Sequence, residues 1–256
     1  MCPVPAEYSV LAQVYDEIGM ADYARQMTPR LIDYAQGVDW LGRRIAVMGC
    51  GTGASVEYLS QYSFNVFGID QSPEMLAVAQ QKITDSGVSV RWVQSDVRAA
   101  LGVTVSVDLV LALNLINDLN NLRDLESVFT NVFTGLDPGK LFMFDLMTVQ
   151  GLAEEGESGD RLLYNSPTRL TAFVSNDFDY ERQTHVADYL IFRKQPDGWV
   201  RSEAKRVARA FPMQAIVSLL QRCGFSLNAL LNAKMELFDP AKSRASRVIF
   251  VAQKPE

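Results

Sequence analysis

Three glycines at alternate positions, Gly49-x-Gly51-x-Gly53, directly follow the apolar run Ile45-Ala46-Val47-Met48 and precede a helical stretch. Glycine accepts the positive φ that such a turn needs and lets a ligand lie against bare backbone. The first turn of the following helix offers unpaired N–H groups to whatever sits there. Asp70 ends the next apolar run and Asp96 the one after it. A carboxylate at Asp70 can accept two hydrogen bonds from a ribose 2′,3′-diol. One at Asp96 can receive an adenine amino group, with the Val97 N–H donating to a ring nitrogen. Either aspartate alone could be a helix cap. In register at three successive strand ends, where open parallel sheets bind their ligands, the groups describe an adenosine site.

Other chemistries have less to draw on. The chain has one histidine, His185, and three well-separated cysteines, Cys2, Cys50 and Cys223. A histidine-rich metal site, a Ser-His-Asp triad and a disulfide frame are therefore disfavoured, and no metal ligands are assigned. His185 falls in a strand-like stretch and reads as structural. Gly49-x-Gly51-x-x-Ala54 followed by Asp70 also fits a dinucleotide fingerprint, so an NAD(P)-dependent oxidoreductase is one alternative. A Tyr-x-x-x-Lys pair and a second nucleotide-binding half are lacking, however. A non-catalytic module that binds an adenosine ligand is the other alternative.

The elements that must position these residues alternate. Residues 6–36 read as helical, with Leu11, Val14 and Ile18 at helical spacing and Thr28-Pro29 as a fresh helix start. Strands are expected over Arg43–Met48, Phe64–Ile69, Val88–Val93, Val107–Leu113 and Leu141–Phe144, with helices between them and Asp137-Pro138-Gly139-Lys140 as a turn. Strand-helix alternation over this length implies a parallel sheet covered on both faces. Residues 152–160, with four carboxylates and two glycines, read as a mobile surface loop. From 161 to 208 the period becomes two, as in antiparallel strands, with a hairpin at Pro196-Asp197-Gly198. A helix over Pro212–Cys223 ends at Gly224, and strands near 226–237 and 246–253 close the chain. The expected fold class is α/β: a doubly wound, Rossmann-like, mostly parallel sheet with an antiparallel last strand, plus a β-rich insertion after strand five. The expected division is N-terminal helices over 1–42 covering the site, a core of 43–150 and 209–256, and the insertion at 151–208.

Composition agrees. The 256 residues are 48% hydrophobic and 21% charged, enough for a sizeable core. A formal net charge of −6 disfavours nucleic acid as partner. No apolar run is long enough to span a membrane, and the N-terminus lacks signal-peptide features, so the expected location is cytoplasmic and no membrane partner is expected.

Ile45-Ala46-Val47-Met48-Gly49-Cys50-Gly51-Thr52-Gly53, Val66-Phe67-Gly68-Ile69-Asp70-Gln71-Ser72-Pro73-Glu74-Met75-Leu76 and Val93-Gln94-Ser95-Asp96-Val97 together resemble the class I S-adenosylmethionine-dependent methyltransferases. The resemblance covers residues 40–150 and the closing segment 212–253. It implies S-adenosylmethionine as cofactor, with Gly49, Cys50, Gly51 and Gly53 cradling its methionine and ribose portions. Asp70 would take the ribose hydroxyls, Gln71 and Met75 would lie near the adenosine, and Asp96 and Val97 at the adenine. Leu113 and Asn114, at the exit of strand four, join the cofactor set. Val47 stands where the family often has an acid. A narrower resemblance, carried by Tyr15-Asp16 and Asn117-Asp118-Leu119-Asn120-Asn121-Leu122, is to small-molecule methyltransferases of the amino-sugar N-methyltransferase type.

The expected reaction is in-line methyl transfer to an N or O atom of a small molecule. Its demand is alignment, which can lower a barrier by roughly 7–11 kcal/mol. Tyr15, Asp16 and Asp118 are the candidate catalytic groups. Asn114 and Asn117 either cap the next helix or orient substrate. Arg193, Lys194, Arg201, Lys205, Arg206 and Arg209 could attract an anionic acceptor, or form a solvated strand face. The insertion roofs the pocket or pairs two subunits as a homodimer.

Overall fold

The computed structural model describes residues 7–84, 90–99 and 106–256. The central sheet contains β1 (Arg44–Met48), β2 (Asn65–Asp70), β3 (Arg91–Gln94), β4 (Val107–Ala112), β5 (Leu136–Met147), β10 (Ser226–Asn232) and β11 (Arg247–Gln253). Their spatial order is β10-β11-β5-β4-β1-β2-β3. Pairings among β1 to β5 are parallel, whereas β11 runs antiparallel to both β5 and β10. The chain steps outward from β1 to β2 on one side and resumes with β4 on the other. That reversal opens a crevice beyond the carboxyl ends of β1 and β4.

The strands bury both faces, which explains their near-continuous apolar runs. Ala46, Met48, Val110, Ala112, Phe142, Phe144 and Phe250 face helices α5 (Leu122–Gly135) and α7 (Met213–Arg222). Ile45, Val47, Leu109, Leu111, Met143 and Ile249 face α2 (Asp22–Gly37), α3 (Ala54–Ser60) and α4 (Pro73–Thr84). Phe144 stacks on Phe250 at 4.9 Å across the antiparallel pair.

The second sheet is antiparallel, in the order β6 (Asp160–Ser166), β7 (Leu170–Asp179), β8 (Thr184–Gln195) and β9 (Gly198–Arg209). The two-residue turn Pro196-Asp197 joins β8 to β9, as the sequence suggests. Leu170, Ala172, Val174, Tyr189, Ile191 and Ala204 point inward, onto Leu11, Val14 and Ile18 of the N-terminal segment.

Several boundaries differ from the sequence reading. The N-terminal segment is not helical throughout: α1 (Tyr8–Leu11) gives way to turns over residues 12–21 before α2. Thr28-Pro29 does not start a helix, because α2 runs through Pro29, and the Thr28 hydroxyl donates to the Ala24 carbonyl at 2.7 Å. Residues 152–160 are not a loop. Most of them belong to α6 (Val149–Glu157), capped by the Thr148 hydroxyl, which accepts from the Gly151 N–H at 3.2 Å. Leu152 and Gly156 face inward there, while Glu154 and Glu157 face solvent. Asp137 to Lys140 form no separate turn but a bulge within β5: Val107 pairs with Leu136 and Leu109 with Leu141, with Gly139 at φ +73°. Near 232–237 the Asn232 side chain accepts from the Lys234 and Glu236 N–H groups and ends β10 early.

Candidate active site

Two cavities meet above the carboxyl ends of β1 and β4. The first is walled by Gly49 and Gly51 of the glycine loop and by Asp70, Gln71 and Met75 after β2. Asp96, Val97 and Arg98 bound it after β3, and Leu113, Asn114, Leu115 and Asp118 after β4. Tyr8, Tyr15 and Val207 close it from the N-terminal segment and the second sheet.

The loop glycines have different tasks. Gly51 sits at φ +53° with open space where a Cβ would be, so a ligand can approach its backbone. Gly53, at φ +84°, faces α4 instead: a Cβ there would lie 2.9 Å from the Ala79 Cβ. Gly53 therefore permits helix packing and stays out of the cavity wall. Cys50 is also outside that wall. Its thiol is buried beneath the loop, and burial raises its pKa.

Asp70 anchors the loop. One carboxylate oxygen accepts from the Gly51 N–H at 2.8 Å and the other from the Ser72 N–H at 2.9 Å. Burial pushes its pKa up, and those backbone donors oppose the rise. Asp96 lies in the wall, but its carboxylate is already held by Arg98, whose Nε donates at 3.0 Å. That pairing keeps the Asp96 carboxyl below its usual range. Val47, where the resemblance leads one to expect an acid, is buried in the core.

The three catalytic candidates separate. Asp16 is outside both cavities: it accepts from the Thr52 hydroxyl and, at 2.6 Å, from Lys82 Nζ. It ties the N-terminal segment to α4 and the loop. Tyr15 lines both cavities, and burial raises its phenol well above the ordinary value, so it stays a protonated donor at neutral pH. Asp118 lies in the first cavity and is paired with Arg206 at 2.7 Å. Tyr8 donates to the same carboxylate. This partly buried trio joins α1, the 3-10 turn Ile116–Asp118 and β9.

The second cavity, about 260 Å³, lies beneath the second sheet and shares Tyr15 and Asn114 with the first. Asn114 is strained at φ +57° and over-determined: its N–H donates to Asp145 at 2.7 Å, and its side-chain oxygen accepts from Arg247 Nη1 at 2.6 Å. Asn117 neither caps α5 nor enters either cavity wall. It bridges β5 and β9 by donating to the Met147 and Arg209 carbonyls, and Asn121 caps α5.

Arg161, Arg206, Arg247 and Tyr23 also line the second cavity, as does His185. Burial, with Arg206 nearby, lowers the His185 pKa to about 4. Its Nε2 lies 3.1 Å from Asn176 Oδ1. The Asn176 amide donates to the Gly159 carbonyl, which fixes its oxygen towards the ring, so Nε2 carries the hydrogen.

Of the basic run, Arg206 alone lines the second cavity and none lines the first, whereas Arg201 and Lys205 pair with Glu203 and Asp188 on the other side of the second sheet, where Lys205 lines a separate open cavity. Sequence reasoning missed Arg247, Tyr23 and Arg161. Arg247 left one signal, as the single charge opening the apolar run Val248–Ala252.

Comparison with known proteins bears on this geometry. Residues 45–139 match the model of a methyltransferase domain. YqeM of Bacillus subtilis, named as a methyltransferase, is 28% identical over 96% of this chain and 97% of its own. A ubiquinone biosynthesis O-methyltransferase of Pseudomonas fluorescens is 33% identical over 42% of this chain and 45% of its own. Among solved structures, an S-adenosylmethionine-dependent methyltransferase of Clostridium acetobutylicum superposes with a TM-score of 0.80 at 19% identity, covering 97% of this chain and 99% of that one. The sugar N-methyltransferase KedS8 of Streptoalloteichus gives 0.71 at 14% identity, covering 99% and 95%. Among the described residues no helix is long and apolar enough to cross a membrane. In its matched methyltransferase domain, its sheet order and its loop-and-carboxylate geometry, the chain is similar to the class I S-adenosylmethionine-dependent methyltransferases.

Proposed function

We propose that the protein transfers a methyl group from S-adenosylmethionine, held in the first cavity, to an N or O atom of a small molecule held in the second. The observation that carries this reading is the junction: Tyr15 and Asn114 belong to both walls, so the two ligands can meet only there.

The lining of the first cavity, drawn in to about 130 Å³ in this structure, suits the cofactor by its chemistry. Gly51 leaves room where any side chain would intrude, and Asp70 is fixed by two backbone N–H groups as a ribose acceptor. Gln71, Met75 and Val97 flank the adenosine, and Asp96 shares its carboxylate between Arg98 and the base. Tyr15 and Asp118 supply the polar wall towards the methionine portion, where Val47 offers nothing. Bound there, the cofactor supplies a methyl carbon activated by a sulfonium. The chain's own work is alignment and exclusion of water, the larger part of what such a displacement needs. Asn114, locked by Asp145 and Arg247, fixes one side of the junction. The protonated Tyr15 phenol fixes the other.

The acceptor is small and anionic in this reading, because the second cavity is about 260 Å³ and its three guanidinium groups are already matched by carboxylates, so that the cofactor's sulfonium would leave one positive charge to balance. Calorimetric titration with S-adenosylhomocysteine and NAD tests the first half. Binding of S-adenosylhomocysteine with no heat from NAD is expected, and the reverse would return the chain to the oxidoreductase alternative. Methyl turnover on a panel of small carboxylate-bearing amines and phenols tests the second.

A further inference from the structure

The wall of the second cavity has unused donors and committed acceptors. Arg247 spends its Nη1 on Asn114 and Asp145, while its Nε and Nη2 have no partner among the described residues. Its guanidinium lies 3.8 Å from the ring centre of Tyr23. The Tyr23 hydroxyl is closed off from solvent, makes no well-formed hydrogen bond, and has Arg247 as the donor nearest it. A buried hydroxyl without a well-formed hydrogen bond is costly, so the site is incomplete as it stands. The acceptors nearby are engaged. Asn114 Oδ1 receives Arg247, Asn176 Oδ1 faces His185, and Glu155 receives Arg161. What this wall lacks is an oxyanion.

Charge sets how much of one. Arg161, Arg206 and Arg247 are matched one for one by Glu155, Asp118 and Asp145. The wall is thus close to neutral, and His185 adds no charge at neutral pH. The sulfonium of a cofactor in the adjoining cavity would add a single positive charge. One negative charge balances that, whereas a phosphate monoester brings close to two.

We propose that the second cavity seats its methyl acceptor through a single carboxylate, gripped by the free edge of Arg247 and by the Tyr23 hydroxyl. The proposal rests on the methyltransferase reading for the word acceptor, but the seat belongs to this chain's own residues. A planar guanidinium edge takes a carboxylate with two parallel bonds, and the hydroxyl supplies a third. The acceptor class is a compact carboxylic acid carrying an amine or hydroxyl, with no phosphate or nucleotide.

Benzoate, benzamide and inorganic phosphate are the probes, titrated into the full chain saturated with S-adenosylhomocysteine or with sinefungin, which carries an amine in place of the methylated sulfur. Benzoate is expected to bind about tenfold more tightly than benzamide, the worth of one charge-assisted bond. It should bind more tightly beside sinefungin than beside S-adenosylhomocysteine. Tyr23→Phe should weaken benzoate severalfold and leave S-adenosylhomocysteine binding as it was, and Arg247→Gln should weaken benzoate by about tenfold or more. Should Arg247→Gln fail to fold, Tyr23→Phe carries the test alone. Benzamide equal to benzoate, phosphate tighter than benzoate, or indifference to Tyr23→Phe would each overturn the proposal. If S-adenosylhomocysteine itself does not bind, the methyltransferase reading fails separately, and benzoate titrated into the bare protein still reports on the seat.

Discussion

The two cavities are built by different means. The first is mostly backbone: a glycine loop, strand ends, and an aspartate held by N–H groups two residues or one loop away. The second is mostly side chain. Its guanidinium groups, phenols and imidazole come from α2, β6, β8, β9 and β11, and long-range ion pairs hold them. Backbone geometry follows from local sequence and resists substitution, so it suits a ligand that stays the same. Side-chain walls are easily revised by substitution, so they suit a ligand whose identity can change. On the proposed reading, the constant and the variable part of the chemistry would occupy separate compartments, sharing Tyr15 and Asn114 as their common wall.

The contrast can be broken at points of decreasing force. Arg206→Met leaves the partly buried Asp118 without its cation, and urea unfolding should show a loss of about 3 kcal/mol, the low end for a buried pair. The double variant with Asp118→Asn should recover part of it. If the single change were silent, the trio with Tyr8 would not hold the roof. His185 gives the next effect. Its folded pKa of about 4 lies below the unfolded value, so the unfolded chain binds its proton first as pH falls. Its stabilising contribution is complete above about pH 6.5 and declines between there and pH 4, by about 3 kcal/mol in all. Stability against pH for wild type and His185→Gln should diverge over that window. Parallel curves would mean that the ring is not held neutral.

The first cavity should respond without loss of fold. Gly51→Val places a β-branched residue at φ +53° and fills the space against the backbone. S-adenosylhomocysteine affinity should fall about 100-fold, roughly 2.7 kcal/mol. Asp70→Ala removes both the ribose acceptor and the loop anchor, for a loss of about 1.5–3 kcal/mol in the same titration. Unchanged affinity would place the cofactor elsewhere. At the small end, Glu203→Ala breaks an exposed pair with Arg201 and should shift stability by less than about 0.5 kcal/mol.

The same division decides what the sequence could reveal. The parallel strands are apolar on both faces, and the Gly51 and Asp70 positions follow from local spacing, so the core and most of the first cavity were legible. Gly53 and Cys50 share that motif but face α4 and the core, which motif spacing cannot distinguish. α6 was hidden because its carboxylates line a helix face that resembles a polar loop in one dimension. The bulge at Pro138-Gly139 carries turn residues yet stays in the sheet. Arg247 and Tyr23 meet only through tertiary packing, and apart from the charge that opens the run Val248–Ala252 no local pattern marks either. The basic run from 193 to 210 suggested an anionic partner, but alternation along β9 sends Arg201 and Lys205 to the other side of the second sheet and leaves Arg206 to the second cavity.

The most direct measurement is a crystal structure with S-adenosylhomocysteine. The adenosine should lie between Asp70, Gln71 and Val97, with the sulfur directed to the common wall at Tyr15 and Asn114 and the Arg247–Tyr23 chamber left for a second ligand. Density for the nucleoside in that chamber, or a sulfur turned away from the common wall, would contradict the division of the molecule into a cofactor half and an acceptor half.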